Sequence, residues 1–280
     1  MKFFFAILIA LATSFSSTAY SGDAQRIVSA GGDITEIIFT LNAGDRVIAV
    51  DSTSNFPPET KNKKQIGYIR RLSAEGILSL GPDQFLAAHD AGPPAAIEQM
   101  RIAGVRVVLV PKGDSARGVV DKIRFVGASL GLDGMAEQLA RKVEADLEAA
   151  IAAAKIHSEK PKVMFVLSLR DGSPLVSGSN TSADVIIRLA GGINAAHAFS
   201  GYKPMSREAV IGAAPDVLLM MSQMIERLGG IDTILKRPEF AVTPAGRNRR
   251  YVKMEGMLLL GFGPRTPLAI RRLASALHDN

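Results

Sequence analysis

One segment of the chain occurs twice, and this internal repeat constrains the fold more than any other feature. Residues 67–83 and 201–216 both begin with Gly-Tyr and both end in Pro-Asp. Between these two dipeptides, each copy contains the motif apolar-Ser-x-Glu. The spacing from Ser to Asp is the same in the two copies. Physically, the Ser can cap a helix, the Glu suits its first turn, and Pro-Asp can turn into a strand. A duplication of such low multiplicity predicts two homologous lobes.

Strand-like and helix-like segments alternate along the first half of the chain. Residues 26–30 predict a buried strand, Gly31-Gly32 a turn, and Asp33 is a candidate cap for a helix over residues 34–41. The same alternation continues with strands at 46–51, 84–88 and 105–110, an apolar segment at 77–80 and a helix at 94–103. Such alternation predicts a parallel sheet with helices on both faces.

A helical region separates this series from a second one. Residues 116–130 predict one helix, and residues 134–157 predict a longer one that would reach roughly 35 Å. The second series has strands at 163–167, 217–221 and 250–253, and helices at 183–189, 231–236 and 267–278. We therefore expect an α/β fold of two Rossmann-like lobes with parallel central sheets, joined by one long bridging helix, with a ligand in the interlobe cleft. The predicted boundaries are 1–19 for a signal peptide, 20–115 for the first lobe, 116–160 for the linking helices and 161–280 for the second lobe.

The first residues predict export. Lys2 is followed by an apolar stretch at 3–12 and by Ser17-Thr18-Ala19, which fits a small-x-small cleavage site before Tyr20. The chain has no cysteine, which excludes disulfides, thiolate metal sites, cysteine nucleophiles and a lipid-modified cysteine. The expected location is the periplasm of a Gram-negative bacterium.

The net charge of +6 does not come with a nucleic-acid signature, because no stretch interleaves aromatic and basic residues. Two short basic runs, at 61–64 and 247–250, are flanked by turn residues and are typical of solvated loops. The alternative is that positive potential in a cleft attracts an anionic ligand.

The duplicated segments and the long helix between them resemble the class of periplasmic binding proteins that serve ABC importers of iron-siderophores, cobalamin and haem. Residues 66–78, 188–192 and 258–266 resemble its haem-binding branch, and the likeness extends over 26–277. The resemblance implies a monomer that carries haem b as its cargo. It also implies delivery to an inner-membrane permease dimer with its ATPase, supplied indirectly by an outer-membrane haem receptor. A ferric siderophore or a cobalamin is the alternative cargo.

The resemblance assigns the axial ligand of ferric haem to Tyr68 and a hydrogen bond on the ligating oxygen to Arg70. Phenolate is a hard anion suited to Fe(III), and a phenol with the ordinary pKa of about 10 needs the metal and a cation to ionise. The alternative for Tyr68 is a loop tyrosine that packs on the helix below it. Tyr202, its counterpart, is expected to line the cleft. Residues 168–171 lack the histidine that two-haem relatives use, so we expect one haem.

Other cleft assignments are weaker. Haem propionates need cations, and the candidates are Arg71, Lys61, Lys63 and Lys64. Porphyrin faces need apolar contacts, for which Met221 and Met224 are candidates, although methionine is more often a core residue. His89 and His197 are the other possible iron ligands, although each is typical of a loop or surface; His157 and His278 are interpreted as structural or solvated.

Glu75 and Glu208 match the family's docking glutamates, one on each lobe, which engage arginine pockets of the permease. The alternative is that each glutamate only complements its helix dipole.

Three other functions fit the sequence less well. Siderophore clefts usually use several arginines and tryptophans, and this chain has no tryptophan. A Mn or Zn binding protein needs about three or four converging His, Asp or Glu ligands, and the chain has four histidines in all. The sequence lacks the nucleophile-elbow, P-loop, zincin and dinucleotide motifs, so we expect a binding protein and not an enzyme. A continuous bridging helix predicts limited lobe motion on binding.

Overall fold

The computed structural model describes residues 25–170 and 173–278, and the expected signal peptide at 1–19 lies outside them together with Tyr20. None of the helices in the described ranges has the length and apolar character needed to cross a bilayer.

The first lobe is built on five parallel strands in the spatial order β3-β2-β1-β4-β5. They are β1 (Ile27–Ala30), β2 (Val47–Val50), β3 (Lys64–Gln65), β4 (Gln84–Ala88) and β5 (Arg106–Val110). Alternate residues of β1 enter different cores: Ile27 packs with α1 (Gly32–Thr40), and Val28 packs with α2 (Ala74–Leu78) and α3 (Pro94–Ile102). The expected parallel sheet, covered on both faces, is confirmed for this lobe.

Two linking helices follow, α4 (Ala116–Ser129) and α5 (Asp133–Ala154). The 22 residues of α5 span about 33 Å and end three residues before His157, where the prediction had placed its end. One stripe of α5 is buried: Ala136, Ala140, Val143, Leu147, Ala150 and Ala154. This stripe joins a core that includes Ile27 of the first lobe and Phe165 of the second, so the two lobes share one hydrophobic cluster, called here the shared core.

The second lobe has a six-stranded sheet in which β11, β10 and β6 are parallel neighbours. Its strands are β6 (Lys162–Arg170), β7 (Ser173–Ser177), β8 (Ile193–Asn194), β9 (Tyr202–Pro204), β10 (Val217–Met221) and β11 (Tyr251–Met254). β7 is antiparallel to both β6 and β9, which the expectation of a parallel sheet did not include. The sequence between β6 and β7 is Asp171-Gly172, a dipeptide typical of tight hairpins.

Eight helices of the second lobe are described. They are α6 (Ser182–Leu189), α7 (Arg207–Ala213), α8 (Ser222–Arg227), α9 (Ile231–Leu235), α10 (Pro238–Ala241), α11 (Pro244–Arg247), α12 (Gly256–Leu260) and α13 (Thr266–His278). The terminal helix α13 buries Leu273 and Leu277 in the shared core.

The serines of the repeat cap helices as predicted. Ser73 Oγ accepts a hydrogen bond from the Gly76 amide at 3.2 Å, and Ser206 Oγ accepts one from the Ala209 amide at 3.2 Å. These bonds start α2 and α7, because the first amides of a helix have no partner within it.

The aspartates of the repeat do more than turn the chain. Asp83 Oδ2 accepts hydrogen bonds from the amides of Gln25 and Arg26 at 3.1 and 3.0 Å, and Asp216 Oδ2 accepts one from the Lys162 amide at 2.8 Å. In each lobe the aspartate therefore clasps the start of the central strand.

Lys122 of α4 ties the lobes together. Its buried ammonium pairs with Asp33 and donates to the carbonyls of Gly261 and Phe262, both at 3.3 Å. Asp33 is thus not the helix cap that the sequence predicted: Gly31 is the N-cap of α1, without a side-chain bond. Asp33 lies in the first turn of α1, and its carboxylate pairs with Lys122 instead of capping the helix.

A second interlobe pair lies beside the first. Arg265 donates through its amide and its Nε to the two carboxylate oxygens of Glu36, at 3.0 and 2.8 Å. Burial raises the pKa of Glu36, and the charge and hydrogen bonds of Arg265 oppose that rise. The Arg265 guanidinium also lies 3.5 Å from the centroid of the Phe56 ring.

We predict that Asp83→Ala and Asp216→Ala each lower the free energy of unfolding by about 1–2 kcal/mol, because backbone amides at the start of a strand lose a charged acceptor. Chemical denaturation measures this change. The control is Asp45→Ala, which removes an exposed carboxylate from a 3₁₀ turn. Equal stability of Asp83→Ala and Asp45→Ala would show that the clasp has no energetic role.

Candidate functional site

A cleft of about 570 Å³ lies between the lobes, and both copies of the repeat contribute to its wall. Tyr68 and Arg70 line it from the first lobe, and Gly201 and Tyr202 line it from the second. Lys122 lies at its base, so the bonds that join the lobes also shape the cavity. Its apolar lining comes from both sides: Ile34, Ile69, Ala88, Val110, Leu167, Met257 and Leu260.

The glycine before each tyrosine sets the course of the loop. Gly67 has φ of 85° and Gly201 has φ of 78°, in the region that side chains with a Cβ rarely adopt. Their carbonyls accept equivalent bonds, from the Ser52 and Gly178 amides respectively, both at 2.8 Å. The repeated Gly-Tyr therefore places two phenols on opposite walls of the cleft.

The wall of the first lobe carries a chain of three polar side chains. The Arg70 Nη1 donates to the Tyr68 phenol oxygen at 2.8 Å, and its Nε donates to Asp90 Oδ2 at 2.9 Å. The Arg70 Nη2 pairs with the same carboxylate oxygen. Burial acts to lower the pKa of Arg70, but the hydrogen bond and the charge of Asp90 outweigh it, and the pKa is raised.

Tyr202 has a different environment. Burial raises its pKa above the usual 10.0, and the negative charge of Asp114 raises it further, against the hydroxyls of Thr181 and Ser177 and the charge of Arg70. Asp114 is held by Ser182 Oγ at 2.6 Å and by Lys112 at 3.3 Å. The phenol of Tyr202 is therefore kept neutral.

Lys203 does not repeat the role of Arg70. Its Nζ lies 5.6 Å from the centroid of the Phe199 ring, on the preceding loop. The two lobes thus share the tyrosine but not its cation.

The structure places the other predicted residues as follows. Glu75 and Glu208 are exposed, each in the first turn of its helix. The pKa of Glu208 is lowered, first by a hydrogen bond from the backbone amide of Glu208 and then by one from the Ser206 side chain. Of the histidines in the described part of the chain, His89 lines the cleft. His197 lines a separate hollow with His157.

Several candidates for propionate and porphyrin contacts lie outside the cleft lining that the described residues form, although Arg70 and Tyr202 belong to it. Arg71 is exposed and is absent from the lining that the described residues form. Lys63 lies over Phe39, 5.9 Å from the ring centroid, in a different hollow. Met221 packs on the shared core and Met224 on the core of the second lobe, so both are structural. Lys61 and Lys64 are exposed and likewise absent from the described lining.

Sequence reasoning missed several cleft residues. Asp90 follows β4 by two residues, and Lys112 and Asp114 follow β5. Ligands of parallel α/β sheets bind at the carboxyl ends of strands, and this rule would have singled out these positions. Met257 is a methionine that does line the cleft, whereas Met221 and Met224 are absent from the described lining.

Across 25–170 and 173–278, no three His, Asp or Glu side chains converge in a way that could hold a metal ion. The polar side chains that line the cleft include two phenols, paired cations, a few carboxylates, hydroxyls, one amide and the imidazole of His89.

Two α/β lobes, a helical bridge and one cleft between them are the features of a solute-binding protein. The chain belongs to the periplasmic binding protein family, whose model matches residues 27–256.

Solved structures and a curated protein resemble the chain over nearly its whole length. The apo form of the periplasmic heme-binding protein RhuT from Roseiflexus sp. RS-1 is 46% identical, with a TM-score of 0.88, covering 91% of this chain and 98% of that one. The periplasmic heme-binding protein BhuT, in complex with two hemes, is 39% identical with a TM-score of 0.88, at 92% and 99% coverage. The vitamin B12-binding protein of Vibrio vulnificus (strain YJ016) is 26% identical, covering 95% of this chain and 94% of the relative.

We predict that Tyr202→Phe removes phenolate absorbance that develops above pH 10 in an alkaline titration of the ligand-free protein. The sign follows from burial, which raises the pKa and so delays ionisation to higher pH. Ultraviolet absorbance measures the titration, with Tyr251→Phe on β11 as the control. Loss of absorbance below pH 10 in Tyr202→Phe would contradict the raised pKa.

Proposed function

We propose that this protein captures ferric haem in the interlobe cleft, with the Tyr68 oxygen as the axial ligand, and releases it to an inner-membrane ABC permease. The observation that carries the proposal is the Tyr68 phenol in the cleft, with Arg70 donating to its oxygen at 2.8 Å. The heme-binding relatives with 46% and 39% identity support this choice of cargo.

Charge favours Tyr68 over Tyr202 as the ligand. A phenol binds Fe(III) as its anion, and a neighbouring cation stabilises the anion. Tyr68 accepts a hydrogen bond from the Arg70 guanidinium at 2.8 Å. At Tyr202 the charge of Arg70 acts without such a bond, and burial and the charge of Asp114 outweigh it together with the neighbouring hydroxyls. Binding at Tyr202 would therefore require ionisation of a phenol that its surroundings hold neutral.

One haem is the stoichiometry we propose, with haem b as its form and Tyr202 lining the face opposite Tyr68. The apolar residues of both walls would contact the porphyrin. Arg71, Lys61, Lys63 and Lys64 lie outside the described lining and remain proposals for propionate contacts, whereas Lys112, which lines the cleft, is a further cation. Because BhuT is in complex with two hemes, the titration below also counts equivalents.

Cobalamin is the second candidate cargo, favoured by the vitamin B12-binding relative at 26% identity. A competition experiment separates the two: cyanocobalamin added in excess should leave hemin uptake unchanged. Displacement of hemin by cyanocobalamin would favour the alternative.

We predict that Tyr68→Phe lowers hemin affinity by about 100-fold or more and abolishes the phenolate-type absorbance spectrum. Loss of a residue that only orients a metal ligand costs about 10–100-fold, and loss of the ligand itself costs at least as much. Hemin titration followed by absorbance measures both quantities.

Tyr251→Phe is the matched control, because Tyr251 is a tyrosine of equal exposure, 38%, outside the cleft. A wild-type spectrum and affinity in Tyr68→Phe would rule out Tyr68 as the ligand.

We further propose that the protein acts in the periplasm after removal of residues 1–19, as a monomer without catalytic activity. Its partners would be a permease dimer with its ATPase, and an outer-membrane haem receptor would supply haem indirectly. Glu75 and Glu208 would dock on the permease. Both carboxylates are exposed, and they begin equivalent helices of the two lobes, as a two-fold symmetric partner requires.

We predict that the double variant Glu75→Lys/Glu208→Lys loses stimulation of the permease ATPase but keeps wild-type hemin affinity. Like charges would meet at the docking surface, while the cleft is untouched. ATPase activity of the reconstituted transporter measures docking. A variant with the same charge change on α5, Glu144→Lys/Glu148→Lys, is the control, and equal loss in both would point to net charge and not to docking.

A further inference from the structure

Asp90 occupies a position that neither the sequence pattern nor the resemblance singled out. It lies in the short loop between β4 and α3, and a third of its side chain is exposed to the cleft, with an accessibility of 32%. Its carboxylate forms an ion pair with Arg70, the residue that donates to Tyr68.

Asp90 and Tyr68 accept hydrogen bonds from different nitrogens of the Arg70 guanidinium. Nε and Nη2 both point to Asp90 Oδ2, and Nη1 points to the Tyr68 oxygen. Because the guanidinium is planar and its donors have fixed directions, an anchored Nε–Nη2 edge determines where Nη1 points.

Without Asp90, little would hold this orientation. The Arg70 side chain is 60% exposed, and its long stem has many rotamers. Its charge also acts on the second cleft tyrosine, Tyr202, so the position of the guanidinium affects both cleft phenols.

The backbone already holds the two loops in register. The Gly92 amide donates to the Ile69 carbonyl, and the Leu72 amide donates to the Gly92 carbonyl, both at 2.9 Å. These bonds lie on either side of Arg70 in the sequence. Removal of the Asp90 side chain therefore frees the guanidinium without detaching the loop.

We propose that Asp90 is a positioning residue of the ligand site: its carboxylate holds Arg70 in the orientation that donates to Tyr68, and so directs the cation to the first lobe's tyrosine. The inference rests on the proposed function, because the orientation of Arg70 affects binding only if the Tyr68 oxygen holds the iron.

A first experiment needs no haem. The Nε–H resonance of Arg70, assigned with Arg70→Lys, should be resolved and protected from exchange in the wild-type protein and in Tyr68→Phe. It should lose that protection in Asp90→Ala. Asp121→Ala, which removes an exposed ion-pair carboxylate on α4, is the control and should leave the resonance unchanged. Protection that survives in Asp90→Ala would overturn the proposal.

A second experiment is a double-mutant cycle read by hemin affinity. Asp90→Ala should weaken hemin binding about 10-fold, the lower end of the cost for an orienting partner. It should add nothing in an Arg70→Ala background, and Asp90→Asn, which keeps an acceptor oxygen, should recover part of the loss. Additive effects of Asp90→Ala and Arg70→Ala would overturn the proposal, because Asp90 would then act independently of Arg70.

Spectroscopy separates this inference from the proposed function. The iron–phenolate vibration should persist in hemin-loaded Asp90→Ala and vanish in Tyr68→Phe. If the wild-type protein bound no hemin, the proposed function would be refuted. The Arg70 resonance would still decide whether Asp90 orients the guanidinium. Wild-type affinity in Asp90→Ala would refute the inference alone.

Discussion

The buried ammonium of Lys122 is the interaction on which the cleft depends. It lies on a linking helix and has partners on both lobes: the Asp33 carboxylate on one, and the carbonyls of Gly261 and Phe262 on the other. A buried charge without a partner is costly, so all three groups must be in place together. Separation of the lobes would expose this cluster and split the shared core. The distance across the cleft, and with it the placement of two tyrosines, follows from that constraint.

In the cleft that these contacts shape, symmetry and asymmetry have separate causes. The equivalent parts of the lobes are backbone devices: glycine turns, serine caps and aspartate clasps. The parts that differ are charges, because Arg70 donates to Tyr68 while Lys203 lies against Phe199. A duplicated scaffold thus gives two phenols equivalent positions, and a few side chains give them different hydrogen-bond partners and charges. Under the proposed function, this difference would assign the iron to the wall of the first lobe and leave only contact to the other.

The sequence was most informative where function depends on local order along the chain. The repeat predicted both lobes and both caps, and the family resemblance carried by the same segments implied both cleft tyrosines. It could not reveal Asp90, which is 20 residues from the arginine it holds, nor the bond from Asp114 to Ser182, which spans 68 residues. It misassigned Asp33, because its partner Lys122 comes from a different helix. The antiparallel β7 lies outside the strand and helix alternation on which the predicted parallel sheet rests, and the Asp171-Gly172 dipeptide before it is the sequence signal for a hairpin.

The aspartate clasps bear on the order in which the chain assembles. Asp83 closes a stretch of 57 residues and Asp216 one of 54, so each lobe completes its central strand from its own segment. The bond from Arg265 to Glu36 spans 229 residues and can form only after almost the whole chain has been made. Closure of short loops costs less entropy than closure of long ones. Two independently nucleating halves, followed by docking of the last helix, are the folding route that this topology favours.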